Sequence, residues 1–203
     1  MKETGLMFKA PLVRAILSGQ KTQTRRVFKQ AVGPSLSVDI DDANPGVAEL
    51  SWLYGDGPGH EVHESIKRVP CPFGKPGDRI YVRETFAWVP TACESDEIVF
   101  AADYQDGSDK AAGVRYIPSI HMPKAAARIW LEITGVRAER LQSISRGDAM
   151  AEGCPFPNLA DDANPREWFA EVWKSTGGDW AANPWVWVID FKRIDQPAPK
   201  EAP

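Results

Sequence analysis

The run Gln20-Lys21-Thr22-Gln23-Thr24-Arg25-Arg26 concentrates an amine, two hydroxyls and two adjacent guanidinium groups in one short segment. Arginine forks suit phosphate oxygens and nucleobase edges, so Arg25 and Arg26 are read as contacts to such a ligand. On residue types alone, Lys21 and Thr24 read as a polar turn after a helix. His60 and His63 invite a metal, but on a strand they face opposite ways, and no third ligand is evident. No metal and no cofactor are therefore expected. Cys71, Cys93 and Cys154 include no CxxC pair, which gives neither a disulfide framework nor a zinc knuckle. His121 lies between Pro118 and Pro123, either as a pocket residue or as a structural one. Trp130, Trp185 and Trp187 can stack on bases, although aromatic residues on barrel strands are more often core. Asp78, after Gly77, reads as a turn residue.

The elements that must position these groups follow from pattern and punctuation. A strand over 5–9 leads to a short helix that opens at Pro11, carries Leu12, Val13, Ile16 and Leu17, and stops at Gly19. Residues 31–77 change character, rich in Gly, Pro, Ser and Asp. Leu50, Trp52 and Tyr54 alternate there before a turn over 55–59, which predicts an inserted hairpin. Strands are predicted over 79–88, 98–104, 128–136 and 185–191. On the third of these, Ile129, Leu131 and Ile133 share one face, while Arg128, Trp130 and Glu132 share the other. Ser145 and Asp148 form a capping-box pattern at the start of a helix that carries Glu152 and ends at Gly153. An amphipathic helix over 165–175 bears Trp168, Phe169, Val172 and Trp173. The tail over 196–203 is expected to be flexible.

The chain has 203 residues, 43% of them hydrophobic, which suits one domain over 1–195 with an insert at 31–77. Its net charge of −4 argues against a dedicated, tight RNA binder, because counterion release drives such binding. No signal peptide or membrane span is legible, so a cytoplasmic protein without membrane association is expected. No protein partner is evident. Many strands with a few short helices point to an α+β class with a mixed β-barrel.

The order of motifs resembles the ASCH domain family, relatives of the PUA domains. A strand and short helix lead into Gly19-Gln20-Lys21-Thr22-Gln23-Thr24-Arg25. Gly77-Asp78 opens a strand, a long central strand follows, then a Glu-bearing helix and a final aromatic strand. The blocks CPFGKPGDRIYVRET (71–85), PSIHMP (118–123) and NPWVWVIDF (183–191) are similar to the larger versions common in bacteriophages and prophages. The resemblance spans about residues 4–194. It implies a PUA-like β-barrel with short peripheral helices. It also implies that the partner is RNA or a modified nucleoside. Some small bacterial members are amidohydrolases that remove the acyl group from N4-acetylcytidine, with a Lys and a Thr of this segment and a later Glu. Matched residue by residue, these are Lys21, Thr24 and Glu152, with Arg25, Arg26, His121 and Arg128 as candidate substrate or RNA contacts. The long insert and the enlarged C-terminal half depart from the small members.

Amide hydrolysis needs a nucleophile, a base, an acid for the leaving amine and an oxyanion site. Thr24 can supply the hydroxyl. Lys21 can serve as base only if enclosed, since a hydrated ammonium stays protonated at neutral pH. Glu152 can protonate the leaving nitrogen. Residues three apart on a straight strand diverge, so this reading requires the chain to turn just after Gly19. The rival readings are a non-catalytic RNA-binding module using the same pocket and a ribonuclease.

Overall fold

The computed structural model describes residues 1–31, 36–54, 63–90, 96–104, 108, 113–156 and 164–197. It is a mixed α+β structure, mostly sheet, with a few short helices. The hairpin turn expected at 55–59, together with His60 and Cys93, lies outside the described residues, as does the tail beyond 197.

The main sheet has five strands in the order β1-β6-β9-β10-β2. They are β1 (Glu3–Met7), β2 (Gln23–Val27), β6 (Arg79–Arg83), β9 (Trp130–Arg140) and β10 (Trp185–Ile194). β1 pairs in parallel with β6, and the other neighbours are antiparallel. Among the described residues no ladder joins β1 to β2, so the sheet has these two strands as free edges. The ladder bonds fix which groups face each edge. Phe8 donates to Arg83 O, and Phe28 donates to Trp185 O. Strand alternation then turns the amides and carbonyls of Gly5 and Met7 on β1, and of Gln23, Arg25 and Val27 on β2, toward the open side.

The expected strand over 79–88 is two strands in different sheets. β6 ends at Arg83, and β7 (Phe86–Pro90) pairs with β8 (Asp96–Phe100). Between them Glu84 is buried and held by the Arg128 guanidinium, with Nε–Oε1 and Nη2–Oε2 both at 2.9 Å. Asp78 is the expected turn residue: its carboxylate accepts the N–H of Lys2 at 2.7 Å and of Lys75 at 3.1 Å.

Within the 31–77 insert, β3 (Ser37–Ile40), β4 (Val47–Tyr54) and β5 (His63–Pro70) form a separate three-stranded antiparallel sheet. The predicted hairpin is β4 with β5, and β3 adds a strand that the sequence pattern did not suggest. This sheet packs into the main core. Val38, Ala48, Leu50 and Val69 are buried in the same hydrophobic cluster as Ile80, Val82, Ile129 and Leu131. Residues 128–133 keep their predicted alternation, but Trp130 is buried as well, because Tyr81 and Lys124 cover its face.

Among the described residues, three α-helices of six residues or more complete the scaffold. α1 (Ala10–Leu17) has proline at its start and buries Val13, Ala15 and Ile16. α2 (Arg146–Ala151) opens on the predicted capping box, in which the Ser145 hydroxyl accepts the Asp148 N–H at 3.0 Å. α3 (Pro165–Ser175) is capped by Asn164 and buries Phe169, Ala170 and Trp173 over Val186 and Val188 of β10. Because α2 spans only six residues, its cap is a large share of its stability. Ser145→Ala is expected to lower unfolding free energy by about 0.5–2 kcal/mol, read as a shifted urea midpoint at unchanged slope.

Candidate functional site

Two short tethers bring Lys21 to Glu152 across 131 positions of sequence. The chain turns after α1 at Gly19, whose φ of +77° is where glycine is favoured. Lys21 N–H then returns to Ala15 O at 2.9 Å, and Thr22 N–H binds Ala151 O at the end of α2, also at 2.9 Å. Gly153 closes the contact from the other side. A Cβ there would stand 2.9 Å from Ala15 Cβ and 3.3 Å from Lys21 Cβ. Lys21 thus lies before β2 rather than on it, and the turn required for the catalytic reading is present.

The Lys21 side chain is fully enclosed, and Glu152 is buried with it. Lys21 Nζ donates to Glu152 Oε2 at 2.5 Å, to Glu152 O at 2.9 Å and to Gln23 O at 2.7 Å. The last acceptor is one of the free-edge carbonyls of β2. All three ammonium protons are therefore engaged. Burial pushes the Lys21 ammonium below its ordinary value of 10.5. Glu152 opposes that shift, and the guanidinium groups of Arg26 and Arg25 reinforce it.

Alternation along β2 divides the next residues between two faces. Gln23 and Arg25 share one face, where Arg25 Nη1 donates to Gln23 Oε1 at 2.5 Å and to Glu152 Oε1 at 3.2 Å. Arg25 Nη2 binds Glu139, with Asp148 at 3.5 Å. Thr24 and Arg26 share the other face, where Arg26 Nη1 donates to Thr24 Oγ1 at 3.1 Å. The Thr24 hydroxyl is buried beside Arg26 and makes its bond there, not with Lys21. The Phe8 ring links the two faces, 5.8 Å from Lys21 Nζ and 5.2 Å from Arg26 Cζ.

Arg26 also spans the opening of the sheet. It donates to Arg25 O on the β2 edge at 3.1 Å and to Met7 O on the β1 edge at 3.0 Å. Above it lies a cleft of about 790 Å³, walled by Gly5 to Lys9 of the β1 side, Arg25 to Val27 of β2, and Trp173 with Ser175 to Gly178 at the end of α3. Both free edges line this one cleft, so the sheet curves enough to bring them face to face.

The remaining sequence candidates fall elsewhere. Arg25 is a buried structural cation and not the surface contact expected, because three carboxylates and Gln23 hold its guanidinium. His121 is exposed on a short turn over 119–121. Arg128 is engaged by Glu84 and Asp103 and stacks 3.9 Å from the Phe100 ring centre. Trp187 is fully buried and stacked on Phe28 at 4.1 Å, so it is core and not a base platform. The sequence reading missed Gln23, Arg137, Glu139, Asp148 as an ion-pair partner, and Asp190. Arg137 joins Asp148 and Asp190, each at 2.8 Å, and Asp190 accepts from Gln23 Nε2 at 2.7 Å. A carboxylate at Asp190 inside the apolar run 185–191 was the available signal. Gly135 leaves room for it: a Cβ at that position would meet Asp190 Oδ2 at 3.0 Å.

Among the described residues no group of three His, Cys, Asp or Glu is placed to hold a metal ion, and no helix is long and apolar enough to cross a membrane. Comparisons with protein-family models, with curated proteins and with solved structures find no match.

The buried pair makes two stability predictions. Glu152→Ala leaves the Lys21 ammonium enclosed without a counter-ion and is expected to cost about 3–5 kcal/mol in urea unfolding. Lys21 releases its proton more readily folded than unfolded, so the unfolded chain binds more protons between the folded value and 10.5. The penalty on the folded state is present below that window and is relieved as pH rises through it. The stability of the wild type relative to Lys21→Met should therefore increase with pH toward 10.5, and a flat difference would show that Lys21 titrates alike in both states.

Proposed function

We propose that this chain is a PUA-like ASCH-type domain that hydrolyses the acyl amide of an N4-acylated cytosine, with Lys21, Thr24 and Glu152 as its working groups. The carrying observation is the buried 2.5 Å contact between Lys21 Nζ and Glu152 Oε2 beneath the gap between β1 and β2. The barrel assignment draws support from the two free strand edges that share one cleft and are bridged by Arg26.

An enclosed ammonium bonded directly to a carboxylate has a neutral alternative, because burial disfavours the Lys21 charge. Moving one proton from Lys21 to Glu152 creates a neutral amine and a carboxylic acid, the base and the acid that the reaction needs. A substrate carbonyl that accepts from Arg26 takes over the donor now held by Thr24 and frees that hydroxyl. The amine accepts the Thr24 proton as Oγ1 attacks the acyl carbon. The carbon–nitrogen bond breaks, Glu152 gives its proton to the leaving cytosine nitrogen, and the acyl group is left as a Thr24 ester. Water then hydrolyses the ester: its oxygen joins the acyl carbon in the free acid and its second proton restores the Thr24 hydroxyl, while the pair, already back to ammonium and carboxylate, keeps the proton it began with. Arg26 is placed to stabilise the developing oxyanion.

A second reading, a non-catalytic nucleoside- or RNA-binding module, is favoured by one observation: every proton of Lys21 and the Thr24 hydroxyl are already engaged. Incubation of the purified chain with N4-acetylcytidine separates the two. Release of cytidine is expected, lost by about 10²-fold or more in Glu152→Gln and in Thr24→Val. Both variants keep the side-chain shape, so their folding is checked by circular dichroism. Absence of turnover in the wild type with any N4-acylated cytosine would leave only the binding module.

A further inference from the structure

The cleft between β1 and β2 offers donors and no acids. In a chain of net charge −4, its wall carries Lys9, Arg25 and Arg26, and no Asp or Glu among the described residues lines it. One of its donors lacks a partner. Trp173 Nε1 is buried with no hydrogen-bond acceptor among the described residues, in a residue more than nine-tenths enclosed. Buried N–H groups left unpaired are costly in a folded protein, and a ligand that supplies acceptors removes the cost. The strand edges add to this set, since the amides of Gly5 and Val27 face the same opening. Lys9 Nζ sits at the rim on Ser175 O at 2.6 Å, where it offsets the negative end of α3.

We infer that this cleft is a nucleotide site, which takes a nucleoside monophosphate and meets its phosphate and base oxygens with Arg26, Trp173 Nε1 and Lys9. The inference rests on the proposed reaction on acylated cytosine and narrows its substrate to the phosphorylated form. The volume of about 790 Å³ suits one nucleotide. The net charge of −4 disfavours a long polyanion, whose binding needs many phosphate contacts. Arg25 takes no part, because its side chain is fully enclosed among Gln23 and three carboxylates.

Titration calorimetry of the full chain with cytidine 5′-monophosphate, cytidine and inorganic phosphate tests the assignment without requiring any hydrolysis. The monophosphate should bind about tenfold or more tighter than cytidine at low salt, and that advantage should shrink as salt rises. Trp173→Phe keeps a ring and removes one N–H, and should weaken the monophosphate by about tenfold. Arg26→Met, at a half-buried position, should erase the preference for phosphate and serves as the second variant if Trp173→Phe fails to fold. Equal affinity for nucleotide and nucleoside, or unchanged binding in the folded variants, overturns the nucleotide site. Deacylation of N4-acetylcytidine without any preference for phosphate would sink this inference alone. Tight monophosphate binding sensitive to Trp173→Phe, with no deacylation, would support it and sink the proposed reaction instead.

Discussion

The arrangement depends on one ion pair, Lys21 with Glu152, placed where the main sheet stops pairing. A strand edge presents carbonyls and amides that need partners, and a buried edge cannot take them all from water. Here side-chain cations do part of that work. Lys21 binds the free carbonyl of Gln23, and Arg26 joins the carbonyls of Arg25 and Met7 across the gap. Two buried cations so close together need a counter-charge, and Glu152 supplies it to Lys21 and to Arg25 at once. The requirement reaches further outward through Glu139, Asp148, Arg137 and Asp190, which extend the charge network to half-exposed positions.

This has a consequence for how Lys21 and Glu152 are tested. Removing either partner disturbs the strand edge, the α2 terminus and the Arg25 site together, so loss of activity in a truncated variant says little about chemistry. Shape-preserving changes such as Glu152→Gln are the informative ones. The same geometry explains why Thr24 is not bonded to the pair: it projects from the face of β2 opposite Gln23 and Arg25, beside Arg26. The proposed reaction accordingly gives Arg26 a gating part, since its guanidinium must leave the hydroxyl before Thr24 can attack.

Much of the scaffold is legible in local pattern. Pro11 and Gly19 bracket α1, Ser145 and Asp148 open α2, and the predicted 165–175 span coincides with α3. The convergence of Lys21 and Glu152 was reached from the motif resemblance and not from spacing, since no local rule joins residues 131 positions apart. What local pattern could not supply was the partner of each charge. Arg25 and Arg26 look identical in sequence, yet alternation sends one into a nest of carboxylates and the other to the edge of a cleft. The break of the 79–88 run at Glu84 was likewise hidden, because it depends on Arg128 reaching across to a buried carboxylate. Cleft residues such as Trp173 read as the apolar face of a helix, and only the fold turns that face toward β2.

The claim most exposed to test is that Thr24 is the group acylated during turnover. The full chain is mixed with N4-acetylcytidine, quenched in acid within the first turnovers, digested, and its peptides are examined by mass spectrometry. The account predicts an acetyl group on Thr24 in the wild type, and none in Thr24→Val. Release of cytidine with no acetyl group on the Thr24 peptide at any quench time would contradict it.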